Sequence, residues 1–299
     1  MDWRKLGLLL EPPATGGWCS SHLMMPFAAP SDPLLIWFSA RDERGRSQTG
    51  RVRLRLDPED PRPDFESEPV LELGQRGAFD DAGAIGSCVV EHEGRTYLYY
   101  VGMSLGVSVP FYSFIGCAVS DDGDSFEKIS EAPIVGRSSV DPLLAAGPWV
   151  IADEGTWRMW YSSGTSWDLD ESGDPLHRYH VKYAESDDGI DWRPTGTVSV
   201  EYAGDEHALA RPCVIRDPDR YRMWFSHRGD AYRIGYAESG DGIRWRRGAG
   251  EAELERSEEG WDSEMIEYGF VFDHEGERYM LYNGNEYGRT GIGLAVLDR

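Results

Sequence analysis

The sequence predicts an all-β chain folded as a five-bladed β-propeller, with antiparallel four-stranded blades around a central channel. Three observations predict it. A strand–turn–strand unit recurs five times, the units are nearly evenly spaced, and no segment carries the periodicity of a long helix.

The clearest piece of the unit is a turn. It appears as Ala118-Val-Ser-Asp-Asp-Gly-Asp-Ser-Phe126, Ala184-Glu-Ser-Asp-Asp-Gly-Ile-Asp-Trp192 and Ala237-Glu-Ser-Gly-Asp-Gly-Ile-Arg-Trp245. Asp-Gly supplies the positive φ of a tight hairpin, and the aromatic residue starts the next strand. Asp122, Asp188 and Asp241 sit at the same place in each copy, so they read as turn residues rather than chemistry.

Upstream of each turn lies an aromatic strand. Its copies are Leu34-Leu-Ile-Trp-Phe38, Thr96-Tyr-Leu-Tyr-Tyr-Val101, Trp157-Arg-Met-Trp-Tyr161, Tyr221-Arg-Met-Trp-Phe225 and Arg278-Tyr-Met-Leu-Tyr282. Aligned on Trp37, Tyr100, Trp160, Trp224 and Tyr282, they recur at intervals of 63, 60, 64 and 58 residues. An apolar strand precedes each: Met24–Ala28, Ser87–Val90, Trp149–Ala152, Pro212–Ile215 and Gly269–Phe272. Polar turns such as Glu91–Gly94, Asp153–Gly155 and Asp273–Gly276 join the pairs, and a third strand follows. One meander cannot bury both faces, so the units must stack, and radial stacking of five closes a ring.

The whole chain, 1–299, therefore reads as one domain. Blades fall at approximately 15–57, 78–130, 138–195, 204–248 and 260–297, and 1–12 holds a closing strand that pairs with the last blade.

Composition narrows the partners. The net charge is −23, from 53 acidic and 30 basic residues, which argues against a nucleic-acid binder and against an anionic membrane surface. Nearly all basic residues are Arg; Lys stands only at 5, 128 and 182. Cys19, Cys88, Cys117 and Cys213 form no CxxC pair, and no His shows zinc spacing, so no metal and no cofactor is expected. Cys88, Cys117 and Cys213 read as small buried hydrophobes. The N-terminus lacks a signal-peptide pattern, so the expected location is cytoplasmic.

Chemistry is expected where polar residues gather, just before the innermost strand of each unit. There stand Ser20, Ser21 and His22; Asp80 and Asp81; Arg137 and Asp141; Glu206, His207 and Arg211; and Asp262, Glu264 and Glu267. Carboxylates from different blades meeting at a channel mouth suit glycosidic-bond chemistry, where one protonates the leaving oxygen and another activates the attacking group. Arg41, Asp42, His227 and Arg228 follow second strands and open toward the same place. With His22 and Arg211 the basic members could hold an anion. Trp18, Tyr112, Trp167, Trp261 and Tyr287 lie in loops, where sugars stack on aromatic faces.

The Ser-Asp-Asp-Gly-x-x-Phe and Tyr-Ala-Glu-Ser-x-Asp-Gly-Ile-x-Trp units resemble the five-bladed glycosidase-like propellers over roughly residues 15–297. That group includes arabinanases, levansucrases, invertases and mannosyl-oligosaccharide phosphorylases. The resemblance implies a blade-four acid, matched by Glu206, and a blade-three Asp followed by Pro, matched by Asp141-Pro142. The blade-one Asp of the hydrolases has no counterpart, because the stretch is Ser20-Ser-His-Leu23. The phosphorylase pattern instead implies one carboxylic acid, Asp81 or Asp141, with phosphate held by a basic set such as His22, Arg41, Arg211, His227 and Arg228.

The expectation is a glycoside hydrolase-like enzyme acting on a carbohydrate or sugar-derived small molecule. Glu206, Asp141 and Asp81 are its expected catalytic residues, and His22, Arg41, Asp42, Arg211, His227, Arg228, Glu264 and Glu267 bind substrate. Two alternatives stand beside it: a phosphorylase or biosynthetic enzyme on an anionic sugar, and a non-catalytic carbohydrate-binding propeller.

Overall fold

A computed structural model describes residues 2–13, 16–29, 32–53, 64–153, 155–248 and 253–298. The expected blade boundaries at 15 and 57 and the turn residue Glu154 lie outside the described residues.

The strands form antiparallel meanders. The first holds β2 (Ser21–Ala29), β3 (Asp32–Arg41), β4 (Ser47–Arg53) and β5 (Asp64–Phe65). The second holds β6 (Gly83–His92), β7 (Arg95–Leu105), β8 (Phe111–Ser120) and β9 (Glu127–Lys128). The third holds β10 (Ala145–Asp153), β11 (Thr156–Leu169), β12 (Pro175–Ser186) and β13 (Arg193–Val200). The fourth holds β14 (Ala208–Arg216), β15 (Tyr221–Arg228), β16 (Tyr232–Ser239) and β17 (Arg246–Arg247). The fifth holds β18 (Glu267–His274), β19 (Glu277–Asn283) and β20 (Ile292–Asp298), and its outer strand is β1 (Asp2–Leu10), paired antiparallel to β20.

The inner strands lie side by side in the order β2, β6, β10, β14, β18 and back to β2. This is a β-propeller, held shut by an outer strand from one end of the chain and three strands from the other. Phe27, Trp149 and Phe270 pack on one another across the channel. All four cysteines are buried and free.

The strand register corrects the aromatic column. Phe27 pairs with Trp37, Cys88 with Tyr99, Trp149 with Trp160, Cys213 with Trp224 and Phe270 with Leu281. The equivalent set is therefore Trp37, Tyr99, Trp160, Trp224 and Leu281. Phe38, Tyr100, Tyr161, Phe225 and Tyr282 form the next set, on the opposite face of each strand. Both sets are buried, so hydrophobicity alone does not separate them, and the sequence alignment mixed the two.

The Ser-x-Asp-Gly turns are side-chain-capped loops that reach the neighbouring meander. Ser186 Oγ accepts the Asp188 and Gly189 N–H groups, and Asp188 Oδ1 accepts those of Ile190 and Asp191. The same bonds recur around Asp122 and Asp241. The freed glycine carbonyl then binds the preceding meander: Gly123 O takes Arg51 Nη1, Gly189 O takes the Tyr99 hydroxyl, and Gly242 O takes Trp160 Nε1. The repeated turn thus stitches one blade to the next.

Candidate active site at the channel mouth

Four inner strands carry a left-handed residue at one repeated place, two positions before the paired residue. These are Met25 (φ 52°), Gly147 (φ 53°), Arg211 (φ 52°) and Tyr268 (φ 55°). Each falls in a β-bulge, where the register shifts between Met24 and Phe27, Ala146 and Trp149, Ala210 and Cys213, and Glu267 and Phe270. A bulge re-aims the side chain beside it, and a left-handed non-glycine residue stores about 1–3 kcal/mol of strain. All four residues line one cavity of about 220 Å³.

The other walls come from every meander. Apolar side chains include Met24, Ile85, Val101 and Met103; polar ones include Arg41, Ser113, Ser162, Tyr179 and Tyr287. Among the described residues, this lining contains no Asp or Glu. The nearest buried carboxyl is Glu267, one residue before the Tyr268 bulge. It is wholly buried and neither oxygen has a hydrogen-bonding side chain. Burial pushes its pKa well above the usual range, with Arg228, the Tyr287 N–H and Arg41 acting against that. Burial therefore favours the protonated carboxylic acid at Glu267. Tyr287, beside it, sits in a turn where Glu286 and Tyr287 both have positive φ, and its hydroxyl accepts from Arg228 Nη1.

Of the expected catalytic carboxylates, Asp141 and Glu206 lie elsewhere, in a set of ties built into the blades that also includes Asp80 and Asp262. Asp80 accepts from the Tyr100 hydroxyl at 3.1 Å and Lys128 at 2.6 Å. Asp141 accepts from Tyr161 at 2.9 Å, Ser163 at 2.6 Å and Lys182 at 3.2 Å. Asp262 accepts from Tyr282 at 3.1 Å and Lys5 at 2.6 Å. In each case the tyrosine follows the aspartate by 20 residues, and these lysines are the chain's only three. Lys128, Lys5 and Arg247 share one position on the fourth strand, opposite Ala118, Ala295 and Ala237. The third meander has Pro194 opposite Ala184, and there the cation comes from Lys182 on β12 instead.

Glu206 belongs to the same set. The fourth meander has Phe225 in the tyrosine column, so Glu206 is held by Arg247 through two bonds of 2.6 and 2.7 Å, by His227 Nδ1 at 2.7 Å and by the Ala203 N–H. Burial would raise its pKa, but those partners outweigh it and hold the carboxyl down at about 2. An ionised, doubly paired carboxylate has no proton to give, so Glu206 is not placed as a general acid. Asp141 is likewise saturated and wholly buried. Asp81 caps the Gly77 N–H of its own loop.

The substrate-binding set divides. Arg41 and Arg211 line the cavity, and Arg228 and Glu267 stand behind its tyrosines. His22 lies against Arg41 at 3.4 Å; burial, Arg41 and Arg289 push its pKa down to about 4, so it is neutral and adds no positive charge. His227 is spent on Glu206. Asp42 caps the Arg44 and Arg46 N–H groups in the turn after β3. Glu264 is exposed and contributes only its backbone: its N–H donates to Asn285, and its carbonyl accepts from Arg233. Of the loop aromatics, Tyr287 reaches the cavity; Trp18 stacks on Phe38, Trp261 packs on Tyr282, Trp167 on Phe111, and Tyr112 lies under Arg137.

The chain shares its fold with solved glycoside hydrolases. It superimposes on a glycoside hydrolase with a TM-score of 0.74 at 19% identity, covering 99% of this chain and 91% of the other. A thermostable family-43 glycoside hydrolase gives 0.68 at 16% identity, with 96% and 92% covered. The Bombyx mori GH32 beta-fructofuranosidase BmSUC1 gives 0.64 at 15% identity, with 92% and 61% covered. No family model matches the sequence. The chain belongs to the same family as the uncharacterized proteins Rv1502 and MT1551 of Mycobacterium tuberculosis; it is 44% identical to each over 302 residues, spanning the full length of both partners.

Proposed function

We propose that the five meanders are the blades of a five-bladed propeller enzyme that cleaves a glycosidic bond at the channel pocket, with Glu267 as proton donor. The observation that carries this reading is the wholly buried Glu267, with no hydrogen-bonding side chain on either oxygen, beside a ring of strained inner-strand bulges. A general acid must hold its proton near the working pH, and the burial of Glu267 raises its pKa in that direction. The glycoside hydrolases that share the fold support the reaction class.

No second carboxylate lines the cavity among the described residues, so the paired acid and base of retaining or inverting hydrolases is not laid out here. That observation favours a second reading, a carbohydrate-binding propeller without turnover. One variant decides between them. Glu267→Gln, assayed on a glycan panel with and without phosphate, should lower kcat by about 10²-fold or more and leave sugar binding intact. Turnover equal to wild type removes Glu267 from the mechanism, and a panel bound but never cleaved by wild type selects the binding protein. The same variant has a stability signature. A carboxyl whose folded pKa is raised contributes stability below its unfolded pKa and loses it as pH rises. Glu267→Gln should therefore raise Tm at pH 7 and leave it unchanged near pH 4.

A further inference from the structure

Three donors in the cavity wall have no partner among the described residues: Arg211 Nε, Ser113 Oγ and Ser162 Oγ. Arg211 is 1% exposed and makes no ion pair there. Its other nitrogens reach only neutral acceptors, Ser87 Oγ at 3.3 Å and the Pro26 carbonyl at 3.1 Å, and the guanidinium lies 6.0 Å from the Phe27 ring. A buried cation without a counter-charge is costly, and so is each orphaned hydroxyl. A Cβ on Gly147 would stand 3.4 Å from the Arg211 backbone and 3.7 Å from Ser162 Oγ, so this residue adjoins both.

We propose that this wall binds the carboxylate of an acidic sugar, received by Arg211 with Ser113 and Ser162 donating to the same group and Arg41 at the mouth. The inference deepens the reading of the pocket as a carbohydrate site by naming the substrate class. The planar fork of arginine matches the planar carboxylate. The remaining wall, with Met24, Ile85, Val101 and Met103, suits the less polar body of the same molecule rather than a small free ion.

Calorimetric titration of the intact chain tests this with galacturonate, its methyl ester, galactose and inorganic phosphate. Galacturonate should bind at least tenfold more tightly than the ester or galactose. The double variant Ser113→Ala, Ser162→Ala removes only hydroxyls without a partner among the described residues, so it should fold, and it should weaken galacturonate by about 10- to 100-fold. Arg211→Met should abolish the preference for acid over ester. Equal binding of acid and ester, no binding of either, tighter binding of phosphate than of galacturonate, or unchanged affinity in the double serine variant each overturns the proposal. Glu267→Gln should bind galacturonate like wild type, so a failed proton donor and a failed acid site give different results.

Discussion

Substitution of Asp141 by Asn separates the blade-tie reading from the catalytic reading that the sequence suggested. The Asp141 carboxylate is wholly buried, and the Lys182 side chain that faces it at 3.2 Å is only 10% exposed. Asn keeps the size and an acceptor for Tyr161 or Ser163 but removes the charge. Lys182 then retains its bond to the Val140 carbonyl and has lost its counter-ion. Breaking a buried pair from one side costs about 3–5 kcal/mol. For a chain of this size that corresponds to a fall in Tm of about 5–8 °C. Differential scanning calorimetry measures it. The double variant Asp141→Asn, Lys182→Met removes the stranded charge and should recover much of the loss. Asp141 does not line the cavity, so the folded variant should bind sugar as wild type does. A variant as stable as wild type that has lost turnover would refute the tie and return Asp141 to the reaction.

Two further outcomes follow from the same geometry. Glu206 has a folded pKa of about 2 against an ordinary 4.5, so its contribution is complete above pH 4.5 and is lost as pH falls toward 2; acid titration of stability should show that leg in wild type and not in Glu206→Gln. Gly189→Ala places a Cβ 2.7 Å from both the Tyr99 hydroxyl and Trp157 at φ 78°, so it should cost about 2–4 kcal/mol in chemical denaturation. Gly123→Ala, with φ 75° and open space, should cost only about 1 kcal/mol, and equal losses at the two sites would refute the packing argument.

Much of the fold was legible because its signals are local. Ser-x-Asp-Gly fixes a turn by its own side-chain bonds, and alternating aromatic strands repeat around it. The blade ties were also written in the sequence, as an aspartate and tyrosine 20 residues apart and as three lysines in an arginine-rich chain. They read as candidates for chemistry because a carboxylate before an inner strand looks the same whether a lysine neutralises it or a substrate does. Only the partner across the blade distinguishes them, and those partners lie as far off as Lys5 from Asp262. Glu267 was found but ranked low, since nothing local shows that a glutamate will be buried without a cation.

The channel bulges were not legible, and their cost bears on what they are for. Met, Arg and Tyr avoid positive φ, so Met25, Arg211 and Tyr268 give no local warning; Gly147 alone hints at it. The propeller ring does not demand this conformation. The second inner strand makes its register shift between Gly86 and Cys88 without a left-handed residue. Three non-glycine residues at about 1–3 kcal/mol each is a large local strain for a fold that can close without it. These three residues share one level of the channel, where Arg211 is also buried without a counter-charge among the described residues. Two independent costs meeting at one residue, on the wall of one cavity, are more economically explained by a ligand that repays both than by packing that accepts them.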